Sequence, residues 1–212
     1  IVSGAPNTKK GTHVPVALIG ARLPGGLVVK RAKLRGVESF GVVCSERELD
    51  VSEDHSGLWI LDEEGAVSRN LKPGVLLKSL FPTRDYIIDI DNKSLTNRPD
   101  LWGHYGFVRE LSAIFKRKAR PVYPQLAVDA VLHAKGGRPV GVEIKDTELC
   151  PRYTAIRISG VKVRKSPYFI RRRLFTLGIR PINGIVDVTN YVMLHTGQPL
   201  HAFDAGRIAN DT

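Results

Sequence analysis

The sequence predicts an α+β chain of more than one domain. Short apolar runs cut by Gly and Pro fill the first eighty residues, and helical periodicity appears after residue 100. A basic excess grows along the chain, with net charges of +2, +4 and +5 for residues 1–82, 83–139 and 140–212. In all, 32 Lys and Arg stand against 21 Asp and Glu in 212 residues, a net +11. With 42% hydrophobic and 25% charged residues the balance is that of a globular protein, which excludes wholesale disorder. No apolar run approaches the ~18–20 residues of a membrane span, and no signal peptide opens the chain. Cys44 and Cys150 are too few for a disulfide framework or a cysteine zinc site. A reducing, cytoplasmic compartment is expected. Ile1 is not an initiator Met, and Ile208–Thr212 carries no structural stop. A piece of a longer polypeptide is therefore expected, with a processed N-terminus as the alternative.

The first zone reads as all-β. Strands are expected at Val14–Ile19, Leu27–Leu34, Phe40–Cys44 and Leu58–Leu61, with Arg22–Gly26 as a turn. Such short strands suit a small barrel or sandwich. In the second zone Tyr86–Ile90 reads as a strand. Leu101, Tyr105, Val108, Leu111 and Phe115 then fall on one helical face, with Asn97 or Asp100 as the cap. Residues 116–125 read as a linker. The third zone opens with expected strands at Val140–Lys145 and Tyr153–Val163, where Ile156 and Ile158 alternate with Arg157 and Ser159. Ser166-Pro167 should start a helix that places Ile170, Leu174 and Leu177 on one face and ends at Gly178. A further helix is expected over about 185–195, stopping at Gly197.

Few residues announce chemistry. There is neither a phosphate-cradling Gly-rich loop nor a dinucleotide pattern, and the six histidines lack metal-ligand spacing. Arg31, Lys33 and Arg35 would share one face of a strand, either as a backbone-binding stripe for a nucleic acid or as a solvated face. Arg171–Arg173 is open to the same two readings. Trp59 and Trp102 are either base-stacking platforms or packing anchors. His201, in Gly197-Gln198-Pro199-Leu200-His201-Ala202-Phe203-Asp204, is either a general base or water-orienter or a structural histidine. Asp204 or Asp187 would fix its tautomer. Arg180, in Gly178-Ile179-Arg180-Pro181-Ile182-Asn183, either clamps a phosphate or carboxylate or caps the preceding helix.

Three stretches together resemble the β subunit of bacterial phenylalanyl-tRNA synthetase, in that family's order. Ser3–Asn7 through Val16–Leu18, with Lys33–Ser39 to Cys44-Ser45-Glu46, resembles its inserted tRNA-binding OB-fold. Thr96–Asp100 with Arg109-Glu110-Leu111 is similar to the second half of its split N-terminal domain. Cys150–Tyr153, Gly178–Asn183, Val186–Met193 and Gly197–Asp204 resemble the opening of its editing domain.

The resemblance implies a multi-domain α+β fold. A partial OB-fold β-barrel (1–82) would be followed by an α/β segment with a linker (83–125) and the beginning of a mixed α/β editing domain (126–212). It implies a phenylalanine–tRNA ligase that uses ATP and Mg2+ when assembled with an α subunit as an α2β2 heterotetramer, away from any membrane. No cofactor residue is implied within this stretch. The editing domain would hydrolyse tyrosine mistakenly joined to tRNA(Phe), with His201 and Arg180 in its site. Contact with tRNA would involve Lys33, Arg35 and Ser39. A rival from another class is a stand-alone OB-type RNA-binding protein without catalysis. A free-standing trans-editing hydrolase is a third option.

Overall fold

Glycine and proline divide the first ninety residues into pieces too short for long strands, and among the described residues four strands of three residues result. They are β1 (Val16–Leu18), β2 (Ala32–Leu34), β3 (Val37–Ser39) and β4 (Gly41–Val43). The computed structural model describes residues 1–65, 71–82, 84–133 and 140–208, without the side chains of 125, 126, 131 and 132. Ala209–Thr212, the expected open ending, lie outside the described residues. The helices are α1 (Leu77–Leu80), α2 (His104–Ile114), α3 (Gln125–Leu132), α4 (Tyr168–Thr176) and α5 (Gly184–Thr196). Two bodies form: Ile1–Asp91 with Lys165–Asp187, and Asn92–Arg164 with Val188–Thr212.

In the first body β1 pairs with β4, and β2 pairs with β3, both antiparallel. Among the described residues these two-stranded ladders do not close into a barrel, so the expected barrel appears only as a small mixed α/β body with few strands. The β2–β3 hairpin turns at Arg35 and Gly36, with φ of +48° and +86°. A two-residue hairpin turn of this hand needs positive φ at both central positions. Arg35 therefore leaves the strand, and the expected stripe of Arg31, Lys33 and Arg35 on one strand face does not form. Lys33 stands opposite Glu38 in the ladder.

Two apolar clusters hold this body. Ala17, Leu23, Val29 and Cys44 form one. Val51, Trp59, Leu61 and Phe81 form the other, with Tyr168 of α4 packed against it. The Trp59, Phe81 and Tyr168 rings lie with centroids 4.4–5.4 Å apart. Such aromatic pairs add ~0.5–1.5 kcal/mol each beyond the area they bury. Trp59 is thus a packing anchor. The expected strand at Leu58–Leu61 is instead an irregular segment running into a short helical turn.

α4 and α5 follow the sequence closely. Ile170 and Leu174 are buried, whereas Leu177 is exposed. The end of α4 is a Schellman motif, with Gly178 N–H donating to Phe175 O at 3.0 Å and Ile179 N–H to Leu174 O at 2.9 Å. The Ser166 side chain does not cap the helix, because its hydroxyl donates to Asp187 instead.

In the second body the periodic run forms α2, yet its face stays open: Val108, Leu111 and Phe115 are exposed. Leu101 falls in a preceding helical turn, Pro99–Trp102, and Gly103 is the cap of α2 in place of Asn97 or Asp100. Asp100 instead accepts from Arg98, which also reaches Glu110 at 2.9 Å. Those hydrogen bonds from Arg98 hold the Asp100 carboxyl below its usual range. A Cβ on Gly103 would stand 2.2 Å from the backbone nitrogen of Gly197, so this close approach needs glycine. The expected strands at Tyr86–Ile90, Val140–Lys145 and Tyr153–Val163 have no ladder partner among the described residues. α3, beginning one residue after Pro124, has no counterpart in the expected elements.

Both cysteines are free. Burial, with the Glu48 charge second, pushes the Cys44 thiol up to about 11. Because the thiolate is the reactive form, one equivalent of a thiol reagent should label Cys150 promptly near neutral pH. Cys44 should react only on unfolding, a difference that timed labelling with peptide mass mapping reads directly.

Candidate functional site

Helix periodicity places Arg171 beside Ile170 and within one turn of Leu174, on the face that the first body buries. The guanidinium is 3% exposed and sits between two carboxylates. Its Nη2 reaches Glu46 Oε1 at 2.9 Å and Glu64 Oε1 at 2.6 Å, and its Nη1 donates to Ser166 O. Glu64 also accepts from Trp59 Nε1 at 2.6 Å and from the backbone N–H of Tyr168 at 3.1 Å. Glu46 accepts from the Ser52 hydroxyl at 2.6 Å and pairs with Lys165 at 2.5 Å. Each buried carboxylate therefore meets both a cation and neutral donors, the condition under which burial of charge is tolerated. Arg171 is neither a phosphate patch nor a solvated face. Arg172 bonds to Thr176, and Arg173 lies over Phe169 at 6.0 Å.

The exposed edge of this network borders a cleft of about 410 Å³. Its walls include Asp54, His55, Lys165, Arg180, Ile182 and Asp187. Lys165 spans Glu46 and Asp54, the latter at 2.9 Å. Partial burial alone would raise the Asp54 carboxyl. Hydrogen bonds from Lys165 and Ser56 outweigh it and hold the carboxyl well below the usual carboxylate range. Burial likewise opposes the Lys165 charge, and the Glu46 and Asp54 bonds outweigh it to raise that amine.

Arg180 is exposed on this cleft and has no ion-pair partner among the described residues. It does not cap α4, whose final carbonyls are served by backbone amides. His201 belongs to the second body, on an exposed loop, with its ring 4.5 Å from that of Phe203. Neither carboxylate proposed for its tautomer is committed to it. Asp187 accepts from Ser166 and Ile182, and Asp204 accepts from Gly206 N–H at 2.9 Å. Among the tRNA-contact candidates, Lys33 and Arg35 are exposed. Ser39 is 2% exposed, its hydroxyl donating to Gly41 O and accepting from Val2 N–H. Arg31 is paired with Glu38 and stacked on Phe40. Trp102 is 75% exposed. Among the described residues no group of three His, Cys, Asp or Glu side chains is placed to hold a metal ion, and no helix is long and apolar enough to cross a membrane.

Sequence reasoning missed Asp54, Lys165, Glu46 and Glu64. Nothing local marks them, since their partners lie more than a hundred residues away in several cases. Arg171 had a signal: it shares a helical face with Ile170 and Leu174, where a solvated charge does not belong.

Two consequences are measurable. Arg171→Ala leaves buried Glu64 without its cation and Glu46 with Lys165 alone, and should cost ~3–5 kcal/mol in denaturant unfolding, whereas Arg173→Ala should be near neutral. A carboxyl held low in the folded state stabilises it above the unfolded-state value, and that stabilisation is lost as pH falls toward the folded-state value. The gap in thermal stability between the parent and Asp54→Asn should therefore be largest near neutrality and shrink below about pH 4.

The comparisons with known proteins extend over the whole chain. Residues 149–212 match the B3/4 domain family. The chain is 45% identical to the phenylalanine–tRNA ligase β subunit of Desulfotalea psychrophila, over 100% of this chain and 24% of that protein. It is 43% identical to the corresponding subunit of Anaeromyxobacter dehalogenans, over 99% of this chain and 25% of that protein. With that of Geobacter sulfurreducens the identity is 44%, over 100% and 25%. The chain spans about a quarter of the length of the curated relatives it matches. From end to end it is similar to one section of a phenylalanine–tRNA ligase β subunit, with the B3/4 match beginning at residue 149.

Proposed function

We propose that this chain is part of the β subunit of a phenylalanine–tRNA ligase and carries the first part of its editing domain. The observation that carries the proposal is the 45% identity to a named β subunit across the full chain, joined to the B3/4 match over residues 149–212. The section comprises a partial OB-fold (1–82), the second half of a split α/β domain with its linker (83–125) and the opening of the editing domain (126–212). The complete enzyme joins phenylalanine to tRNA(Phe) in the cytoplasm. Its α subunit is the partner, in an α2β2 assembly. ATP and Mg2+ serve that assembled enzyme, and no residue of this chain is assigned to them.

The editing reaction is hydrolysis of the ester between tyrosine and the tRNA. Water must be oriented toward the ester carbonyl, and the charge that develops on the carbonyl oxygen must be met by a donor or cation. His201 supplies an imidazole able to accept the proton of the attacking water. Its exposed loop position, with Phe203 as the neighbouring ring, supports an accessible role. Arg180 supplies a permanent cation suited to phosphate or a developing oxyanion, and its exposure on the cleft without an ion-pair partner among the described residues supports that role. A site that hydrogen-bonds the tyrosine hydroxyl rejects phenylalanine, because its own polar group would otherwise be left unpaired. Contact with tRNA in the first zone falls to Lys33 and Arg35. The Ser39 hydroxyl is spent on the backbone and is better read as a structural group.

The test is deacylation of tyrosyl-tRNA(Phe) by the complete enzyme. His201→Ala should slow it by ~10²-fold or more, the scale of a lost general base, with phenylalanylation nearly intact. Equal deacylation by mutant and parent removes His201 from the mechanism. Loss of both activities together makes it a folding residue.

A further inference from the structure

Arg180 lies between two helices, and something must fix where its side chain starts. The Schellman motif at Gly178 and Ile179 sets the approach from α4. On the far side Pro181 has no N–H, so the first amide after Arg180 that can donate is that of Ile182. That amide donates to Asp187 Oδ1 at 2.7 Å. The other Asp187 oxygen accepts the Ser166 hydroxyl, which stands at the entry to α4 beside Lys165. Asp187 is 1% exposed. Its own N–H donates to Asn183 O at 2.8 Å, and the Asn183 side chain accepts the N–H groups of Ile185 and Val186 at 3.0 and 3.2 Å. One buried carboxyl group therefore joins the loop that carries Arg180, the first turn of α5 and the start of α4.

We infer that Asp187 is a positioning residue for Arg180: it touches no substrate itself and acts by holding residues 180–183 so that the guanidinium enters the cleft. The inference rests on the editing role proposed for Arg180. A full-length β subunit assembled with its α partner is the system in which to test it. Single and double variants at the two positions would be compared for kcat and KM of tyrosyl-tRNA(Phe) deacylation, with phenylalanylation and thermal melting followed in parallel.

Asp187→Ala orphans a buried amide and a hydroxyl and should lower deacylation kcat/KM by about tenfold or more. Asp187→Asn should recover most of that loss, because its oxygen still accepts from Ile182 and its amide can donate to a reoriented Ser166. In an Arg180→Ala background, Asp187→Ala should cost little further, since the group it positions is gone. Should Asp187→Ala fail to fold, Ser166→Ala removes one of the two bonds and should show a smaller loss that likewise vanishes without Arg180. An equal cost of either variant with and without Arg180, or a parallel fall in phenylalanylation, overturns the inference and leaves a purely structural carboxyl group. If Arg180→Ala alone leaves deacylation unchanged, the editing role of Arg180 falls, and the positioning role falls with it.

Discussion

The buried guanidinium of Arg171, held between Glu46 and Glu64, is the interaction on which the first body depends. It joins a helix near residue 170 to loops near residues 46 and 64, and no ladder among the described residues makes that connection. The three-residue strands give little cooperative pairing, and the apolar clusters are small. Arg171 places the start of α4, so that Tyr168 stacks on Trp59 and Lys165 reaches Asp54. The cleft that Arg180 borders is one wall of the same arrangement. Charge is costly to bury, and here that cost fixes geometry: the guanidinium fork accepts few orientations, so α4 has one place to sit.

The helices α2, α4 and α5 and the places of β1, β2 and β4 were legible, whereas the later expected strands found no ladder among the described residues, for one physical reason. A helix satisfies its backbone within its own segment, so the periodic positions Tyr105, Val108 and Leu111 fall in α2 even where its face stays exposed. A strand needs a partner. Ile156 and Ile158 alternate with polar neighbours as a half-buried strand should, yet both remain about 70% exposed with no ladder beside them. The same holds for Tyr86–Ile90. Alternation states which face a strand would bury and says nothing of whether the pairing edge is present. Arg35 illustrates a smaller version: the strand pattern ran through it, and the hairpin turn took it away.

The site divides in the same manner. Arg180 and His201 stood out because of the motifs around them, which are local in sequence. The groups around Arg180, Asp187 and the Arg171 network, include contacts 21 to 125 residues apart, which no local motif reveals. Asp187 was visible as a candidate partner for His201, and the structure gives it other work. Its oxygens hold Ile182 and Ser166, which moves its significance from proton chemistry to the geometry of the Arg180 loop.

The placement of the two tryptophans has a practical consequence. Trp59 is 3% exposed inside an aromatic cluster of the first body, and Trp102 is 75% exposed in the second. Indole emission shifts to the red as water gains access, so the two rings report at opposite ends of the same spectrum. Each body thus carries its own built-in optical probe. Loosening of the Arg171 cradle would register at the blue edge, while the exposed indole on the other body serves as a water-bathed internal standard.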